Sequence, residues 1–236
     1  MTAPAYAAPA SAPAADRAAR VFSGAAMIAL AIGFNLPFAR LAAIFDYPGI
    51  LRRPAGDILA TFAAGGPELI LTWYAFSLAA ILFVPVTLAH SLAAGRIARF
   101  PALAVAAALF GALAGLTQAI GLLRWVTVVP GLAADPQGAS IFAGIHAYGG
   151  MAIGEHLGQI FTAMFAGTTA ALQLREGHKV TAALGALTAA VIATGAYEGV
   201  ALVIGAEGAV FGFAAVAGYA LLSLWMIASG VGLIRR

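Results

Sequence analysis

The sequence predicts an all-α protein, a polytopic transmembrane helical bundle of about six spans with both termini in the cytoplasm. Apolar residues make up 63% of the 236 residues, charged residues only 9%, and the mean hydropathy is +0.98. A soluble domain cannot bury so much apolar surface. The apolar residues form runs of about 20, the length that an α-helix needs to cross a bilayer. Basic residues are concentrated in alternate breaks between these runs.

Six apolar runs are long enough to span a bilayer. They lie near 21–44, 69–91, 101–123, 149–173, 180–204 and 209–233. Residues 1–20 are rich in Ala and Pro and carry their positive charge late, at Arg17 and Arg20. A secretory signal places its charge first and follows it with a shorter apolar stretch. We therefore expect a disordered cytoplasmic tail at 1–20 and a six-span membrane domain at 21–236.

The distribution of charge predicts the orientation of the bundle. With the N-terminus inside, the inner side holds eight of the twelve basic residues and only Asp16 and Glu176 of the nine acids. The eight are Arg17, Arg20, Arg96, Arg99, Arg175, Lys179, Arg235 and Arg236. Cytoplasmic loops of membrane proteins carry an excess of Lys and Arg. The pattern therefore predicts that both termini are cytoplasmic.

Two longer connections fall on the predicted outer side. In residues 46–68, Pro54 and Asp57 suit the start of a short interfacial helix, and Gly65–Gly66 suits its end. The apolar face of this helix consists of Ile58, Leu59 and Phe62. We expect that face to rest on the lipid surface. In the second connection, residues 139–148 are too few to span and predict a surface or re-entrant helix.

Composition and motifs exclude several classes of function. The chain has no cysteine, which excludes disulfides, cysteine nucleophiles, iron–sulfur clusters and c-type haem. Its basic residues come in ones and twos, so nucleic acid is not an expected partner. No HExxH or GxSxG motif is present, and we expect no metal site. The sequence does not identify a cofactor.

Polar residues of the predicted spans lie mainly in the outer halves. Because polar groups in lipid are costly, such residues must face the bundle interior or a wet cavity. Glu155, Gln159 and Thr162 also share one helical face, at i, i+4 and i+7. We therefore predict an outward-facing polar pocket. Its candidate ligand-binding residues are Asn35, Trp73, Tyr74, Gln118, Arg124, Glu155, His156, Gln159 and Glu198.

Other interpretations of these residues stay open. Glu155 and Arg124 form either a buried ion pair between two helices or a ligand-binding carboxylate beside an anion-attracting arginine. Trp73 and Tyr74 suit an interfacial aromatic belt as well as a pocket wall. The outer set with metal-ligating side chains is His146, His156, Glu155 and Glu198. These four lack metal-ligand spacing.

Glycines recur four residues apart in several spans. Examples are Gly111 and Gly115, the series Gly150, Gly154 and Gly158, Gly195 and Gly199, and Gly208 and Gly212. Such spacing makes flat helix faces on which backbones approach closely. We prefer packing within the bundle, with a homo-oligomer or a larger membrane complex as the alternative. The two halves of the chain show no repeat of the kind found in inverted-repeat transporters.

Three stretches together resemble a known family. They are DYPGILRRPAGDILATFAAGGPELILTWYAFSLAAILFVPV (46–86), LLRWVTVVPGLA (122–133) and GMAIGEHLGQIFTA (150–163). They resemble the bacterial integral-membrane family filed as domain of unknown function 4386, over most of the chain from the first span onward. The resemblance implies a multi-pass protein of the bacterial inner membrane. It implies no activity and no catalytic residues.

The sequence supports three hypotheses of function. The first is a protein that binds or transports a small hydrophobic or amphiphilic molecule in the outer pocket, with the lipid bilayer as its surroundings. The second is a non-catalytic accessory subunit of a membrane complex. The third is a membrane enzyme or redox subunit that uses Glu155 and His156. We favour binding or transport, because it accounts for the polar cluster and needs no catalytic motif.

Overall fold

The computed structural model describes residues 13–235, with side chains from 17 onward, and every regular element of that part is a helix. The first half contains α1 (Pro13–Phe45), a 3-10 helix (Gly49–Arg52), α2 (Ala55–Leu92), α3 (Arg96–Arg99) and α4 (Pro101–Thr127). The second contains α5 (Val129–Ala133), α6 (Gly138–Ile145), a π-helix (His146–Leu157), α7 (Gly158–Arg175), α8 (Lys179–Ala196), α9 (Glu198–Val203) and α10 (Ala209–Ile234). The predicted all-α class is confirmed.

Five helical segments are long and apolar enough to cross a membrane. They are Arg17–Phe45, Ala55–Leu92, Pro101–Thr127, Lys179–Val203 and Ala209–Ile234. The chain is therefore a multi-pass membrane protein. The run predicted at 149–173 is not among the five, because its first part is π-helical and α7 itself includes Gln159, Gln173 and Arg175.

The helix α1 begins within the stretch predicted as a tail. Its first residue is Pro13, so residues 13–20 of that stretch are helical. The rest of the predicted tail lies outside the described residues. The helix extends unbroken to Phe45, one residue past the end of the predicted span.

The helix α2 consists of two parts that meet at Gly66. Gly66 has φ 58° and ψ −157°, a conformation that glycine adopts without a Cβ clash. The predicted short helix before the second span is therefore confirmed, starting at Ala55 and broken at Gly66. Its predicted contact with lipid is wrong. Ile58, Leu59 and Phe62 are buried in a core cluster that also contains Phe45 and Trp125, because this connection folds back over the bundle.

Residues 139–148 do not form the separate surface or re-entrant helix that the sequence predicts. They fall in α6 and the start of the π-helix, which continue into α7 without a break in helical backbone conformation. The π-helix is twelve residues long and contains Gly149, Gly150 and Gly154. Helices of this type are rare and are frequent at functional sites.

Six helices pack side by side in a closed ring. The order of neighbours is α1, α2, α4, α7, α8 and α10, and α10 packs against α1 to close the ring. The π-helix packs on α4. We call the end that carries the start of α1 and the end of α10 the termini end, and the opposite end the loop end.

Glycines make the closest helix contacts of the ring. A Cβ on Gly111 would lie 2.5 Å from the side chain of Thr87, and a Cβ on Gly154 would lie 2.8 Å from the Cα of Gly121. The predicted use of glycine faces for packing within the bundle is therefore confirmed at these crossings. At the termini end, Arg96 and Glu176 form a buried two-bond ion pair, at 2.8 and 2.9 Å, that joins two connections.

We expect Gly154→Ala to destabilise the protein by about 1–3 kcal/mol, because the added methyl forces α4 away from the π-helix. The matched control is Gly149→Ala in the same π-helix, where an added Cβ meets nothing within 4 Å. Thermal unfolding in detergent measures both. Equal unfolding temperatures for the two variants would show that the Gly121–Gly154 crossing does not limit the stability of the bundle.

Candidate functional site

A cavity of about 460 Å³ lies inside the ring toward the loop end. It is lined by α1, the 3-10 helix and the residues before it, α2, α4, the π-helix, α7, α9 and α10. Aromatic rings form much of its wall: Phe34, Phe38, Tyr47, Trp73, Phe76, Phe83, Trp125, Phe213 and Tyr219. The volume lies within the range of ordinary small-molecule sites, which are mostly apolar with a few polar groups that set orientation.

Most of the residues predicted from the sequence meet in this cavity. Asn35, Trp73, Gln118, Arg124, Glu155, Gln159 and Glu198 all line it. Tyr74 and His156 do not. Tyr74 is 45% exposed on the other side of α2, and the His156 Nδ1 atom lies 2.8 Å from the Ala196 carbonyl oxygen. Glu155 and His156 therefore do not act on a common point in the cavity.

The polar end of the cavity is organised by Arg52, which the sequence did not single out. Its Nη2 atom donates to Glu155 Oε2 at 2.7 Å and to Glu198 Oε2 at 3.0 Å, and its Nε atom donates to Glu198 Oε1 at 3.1 Å. Burial alone would lower the pKa of Arg52, but the two carboxylates raise it above its ordinary value. The guanidinium therefore stays charged and joins the 3-10 helix to the π-helix and α9. The signal available in the sequence was a charged pair, Arg52 and Arg53, next to prolines and a glycine.

The predicted ion pair between Arg124 and Glu155 is not formed. Arg124 is buried, donates to the Gly121 carbonyl oxygen, and lies over the Trp125 ring, 4.9 Å from its centre. A Cβ on Gly150 would lie 2.5 Å from the guanidinium, so glycine at this position makes room for the arginine. The pairing was mispredicted because the connection that brings Arg52 to Glu155 is distant in sequence.

One wall of the cavity is a stack of aromatic rings. Trp73 and Trp125 lie face to face, with ring centres 4.7 Å apart and planes 10° apart. Tyr47 packs edge-on against Trp73 at 5.2 Å. Burial, and next the charge of Glu155, raise the pKa of the Tyr47 phenol above its ordinary value, so the phenol keeps its proton. Each such ring pair stabilises the fold by about 0.5–1.5 kcal/mol, in addition to the stabilisation from burying its apolar area.

Two side-chain hydrogen bonds tie helices together around the cavity. Gln118 Nε2 donates to Thr162 Oγ1 at 3.0 Å, which links α4 to α7. Asn35 Nδ2 donates to Ser223 Oγ at 2.7 Å, which links α1 to α10. Both bonds satisfy polar groups that would otherwise be costly inside a membrane protein.

Five buried polar atoms of the lining have no hydrogen-bond partner. Two are acceptors, Glu155 Oε1 and Gln159 Oε1, and three are donors, the indole nitrogens of Trp73 and Trp125 and the Nε atom of Arg124. A buried polar atom without a partner costs about 1–3 kcal/mol. Buried polar groups without partners are few in folded proteins and call for an explanation at each site. All five belong to residues that line the same cavity.

The outer residues with metal-ligating side chains form hydrogen bonds or ion pairs with other parts of the protein. His146 Nε2 donates to the Leu51 carbonyl oxygen at 3.0 Å, and its Nδ1 atom accepts from Arg124 at 3.3 Å. Across residues 13–235, no three His, Asp or Glu side chains lie together as a metal site would require.

No family model, curated protein or solved structure matches this chain. Its function must therefore be inferred from the cavity and its lining. The two features with the clearest chemical meaning are the Arg52 cluster and the unpartnered acceptors on Glu155 and Gln159.

We expect Arg52→Gln to destabilise the protein by about 2 kcal/mol, because two partly buried carboxylates then face each other without a counter-charge. Adding Glu198→Gln should recover part of that loss, since it removes the repulsion. Arg53→Gln is the matched control, because Arg53 pairs with Asp46 at an exposed site. Chemical or thermal unfolding in detergent measures the stability of the unmodified protein, the two single variants and the double variant. A double variant that is less stable than Arg52→Gln alone would contradict a charge-balance role for Arg52.

Proposed function

We propose that the chain is a bacterial inner-membrane protein that crosses the bilayer six times, has cytoplasmic termini, and binds a small amphiphilic molecule in the cavity, which faces outward. The observation that carries the proposal is the cavity itself, with an aromatic wall and a polar end that includes unpartnered acceptors. A ligand of this kind would place its apolar part against the rings and its head group against Glu155 and Gln159.

The closed ring supports six crossings. The helix α7 packs between α4 and α8, two of the five long apolar helices, and so occupies the position of a sixth span. The charge distribution supports the orientation, since Arg96, Arg99, Arg175 and Lys179 all belong to the termini end. The resemblance to the family filed as domain of unknown function 4386 supports a bacterial inner-membrane location.

The unpartnered acceptors favour a head group that donates hydrogen bonds. Glu155 Oε1 and Gln159 Oε1 lie one helical turn apart in sequence, on residues that both line the cavity. At the polar end of the cavity, the carboxylates of Glu155 and Glu198 pair with one guanidinium, that of Arg52. The Arg124 guanidinium instead contacts Trp125 and His146. An amine or a hydroxyl group suits this arrangement, and a carboxylate head would be repelled by Glu155 and Glu198.

The alternative functions gain no support from the geometry. The acid–base use of Glu155 and His156 requires both side chains at one point, and His156 lies outside the cavity. The glycine faces suggested for docking onto another complex pack inside this chain at the crossings described above.

The absence of native cysteine allows the orientation to be tested directly. Single-cysteine variants Asp135→Cys and Glu207→Cys are exposed at the loop end, and Lys179→Cys is exposed at the termini end. In intact spheroplasts, we expect a membrane-impermeant maleimide to label the first two and not the third. After lysis all three should react. Labelling of Lys179→Cys alone before lysis would reverse the proposed orientation.

Ligand binding is tested by tryptophan fluorescence. The chain has three tryptophans, and Trp225→Phe leaves Trp73 and Trp125, both of which line the cavity. Dibrominated octadecylamine, which quenches indole fluorescence at close range, should quench this pair saturably in detergent micelles. The dibrominated alcohol should bind similarly and the dibrominated carboxylic acid about tenfold more weakly, a difference of about 1.4 kcal/mol.

A pair of substitutions on α10 serves as the control for that measurement. Ala220 lines the cavity, whereas Leu224 is exposed one turn further along the helix and does not. Ala220→Phe should weaken amine binding about tenfold by filling the cavity, and Leu224→Phe should leave it unchanged. Quenching that never saturates, or that is equal for both variants, would contradict a defined binding cavity.

A further inference from the structure

The contact between α1 and α10 differs between the two halves of the ring. Toward the termini end the helices touch at Gly24 and Gly230, where a Cβ on either residue would lie 2.5 Å from the other's carbonyl oxygen. Nearer the loop end, the Asn35–Ser223 hydrogen bond joins them. Past that bond, residues of both helices line the cavity, among them Phe38 and Val216.

Residues along this part of the contact are exposed and also line the cavity. Phe213 is 76% exposed and Val216 is 40% exposed, and Asn35 and Ala220 are exposed as well. An exposed fraction as large as that of Phe213 favours an incomplete wall at this point. Exposed lining residues on both helices point to an opening of the cavity between α1 and α10, on a surface that faces lipid in a membrane-spanning protein. We call this opening the seam.

The side chains at the seam suit an apolar solute. Phe38, Phe213 and Val216 offer carbon surface, whereas the charged cluster of Arg52, Glu155 and Glu198 lies at the loop end. The arrangement matches an amphiphile oriented as it lies in a bilayer, with its head near the membrane surface and its chain along the helices. A cavity of about 460 Å³ suits one chain and is small for a phospholipid with two.

We propose that the cavity is loaded from the membrane, by a single-chain amphiphile that enters sideways through the seam between α1 and α10. This inference rests on the proposed function, because it names the class of ligand and its route to the same cavity. The alternative route is through the loop end, where Pro48 and Gly49 are exposed and line the cavity.

Two cysteine variants distinguish the routes, each in the Trp225→Phe background. Val216→Cys places a thiol at the seam, and Gly49→Cys places one at the loop end, where a Cβ meets no atom closer than 3.5 Å. Benzyl methanethiosulfonate attaches a bulky group to either thiol, and a reductant removes it. The protein is reconstituted in phosphatidylcholine vesicles, dibrominated octadecylamine is added, and the rate of fluorescence quenching is followed.

The expected result is slower loading only for the modified seam. Benzylation of Val216→Cys should slow quenching about tenfold, and reductant should restore the rate. Protein loaded before benzylation should also release the amine more slowly into empty vesicles, which separates a blocked route from a filled cavity.

Two controls should load at the unmodified rate. They are benzylated Gly49→Cys and benzylated Leu224→Cys, the latter exposed on α10 outside the lining. If Val216→Cys does not fold, Ala220→Cys, also exposed and lining the cavity, replaces it.

The other outcomes overturn the proposal in distinguishable ways. Slowing by the Gly49→Cys adduct alone, by both adducts equally, or by neither contradicts entry through the seam while saturable quenching preserves the proposed binding function. Loss of saturable quenching in every variant, including unmodified protein, contradicts both the route and the function.

Discussion

The loop end depends on one interaction, in which the Arg52 guanidinium bridges carboxylates on two separate segments. Glu155 belongs to the π-helix and Glu198 to α9, and neither has another cationic partner within salt-bridge distance among the described residues. The bridge holds the 3-10 helix against the bundle and thereby brings Tyr47 into the aromatic wall and Pro48 and Gly49 to the edge of the cavity. Without it, two carboxylates in a poorly solvated site would repel each other. The same contacts therefore shape the mouth of the cavity and set its charge.

A second arginine, Arg124, is buried beside a glycine that leaves room for its guanidinium. Arg124 lies on α4 with its guanidinium over Gly150 and against the Trp125 ring, and it bonds to the Gly121 carbonyl oxygen and to His146. A larger residue at 150 would occupy the space of the guanidinium. Glycines in the π-helix thus serve two purposes: Gly154 allows close approach of α4, and Gly150 admits a charged side chain between the helices. This use of small residues agrees with their general role in membrane helix packing.

Much of the fold was predictable because a membrane-spanning helix is recognisable from the hydropathy of consecutive residues alone. The runs of apolar residues gave five segments that the structure bears out, and Gly66 marked the break in α2 from residue type alone. The polar cluster was also predictable, because depth along a span follows from the helical rise. The partner of Glu155 was not, since Arg52 reaches it only after a connection folds back across the ring. The same fold-back buried Ile58 and its neighbours, whose apolar face suits lipid and protein core equally well.

The position of the seam follows from the connectivity of the ring. Most neighbouring helices in the ring follow one another closely in the chain, and the short connections between α2 and α4 and between α7 and α8 are further held by the Arg96–Glu176 pair. The helices α1 and α10 come from opposite ends of the described chain, so no short connection restrains their separation. Contacts that hold them include the Gly24–Gly230 crossing and the Asn35–Ser223 bond. The wall that we propose as the entrance is therefore the one between the first and last helices of the ring, which no connecting loop closes.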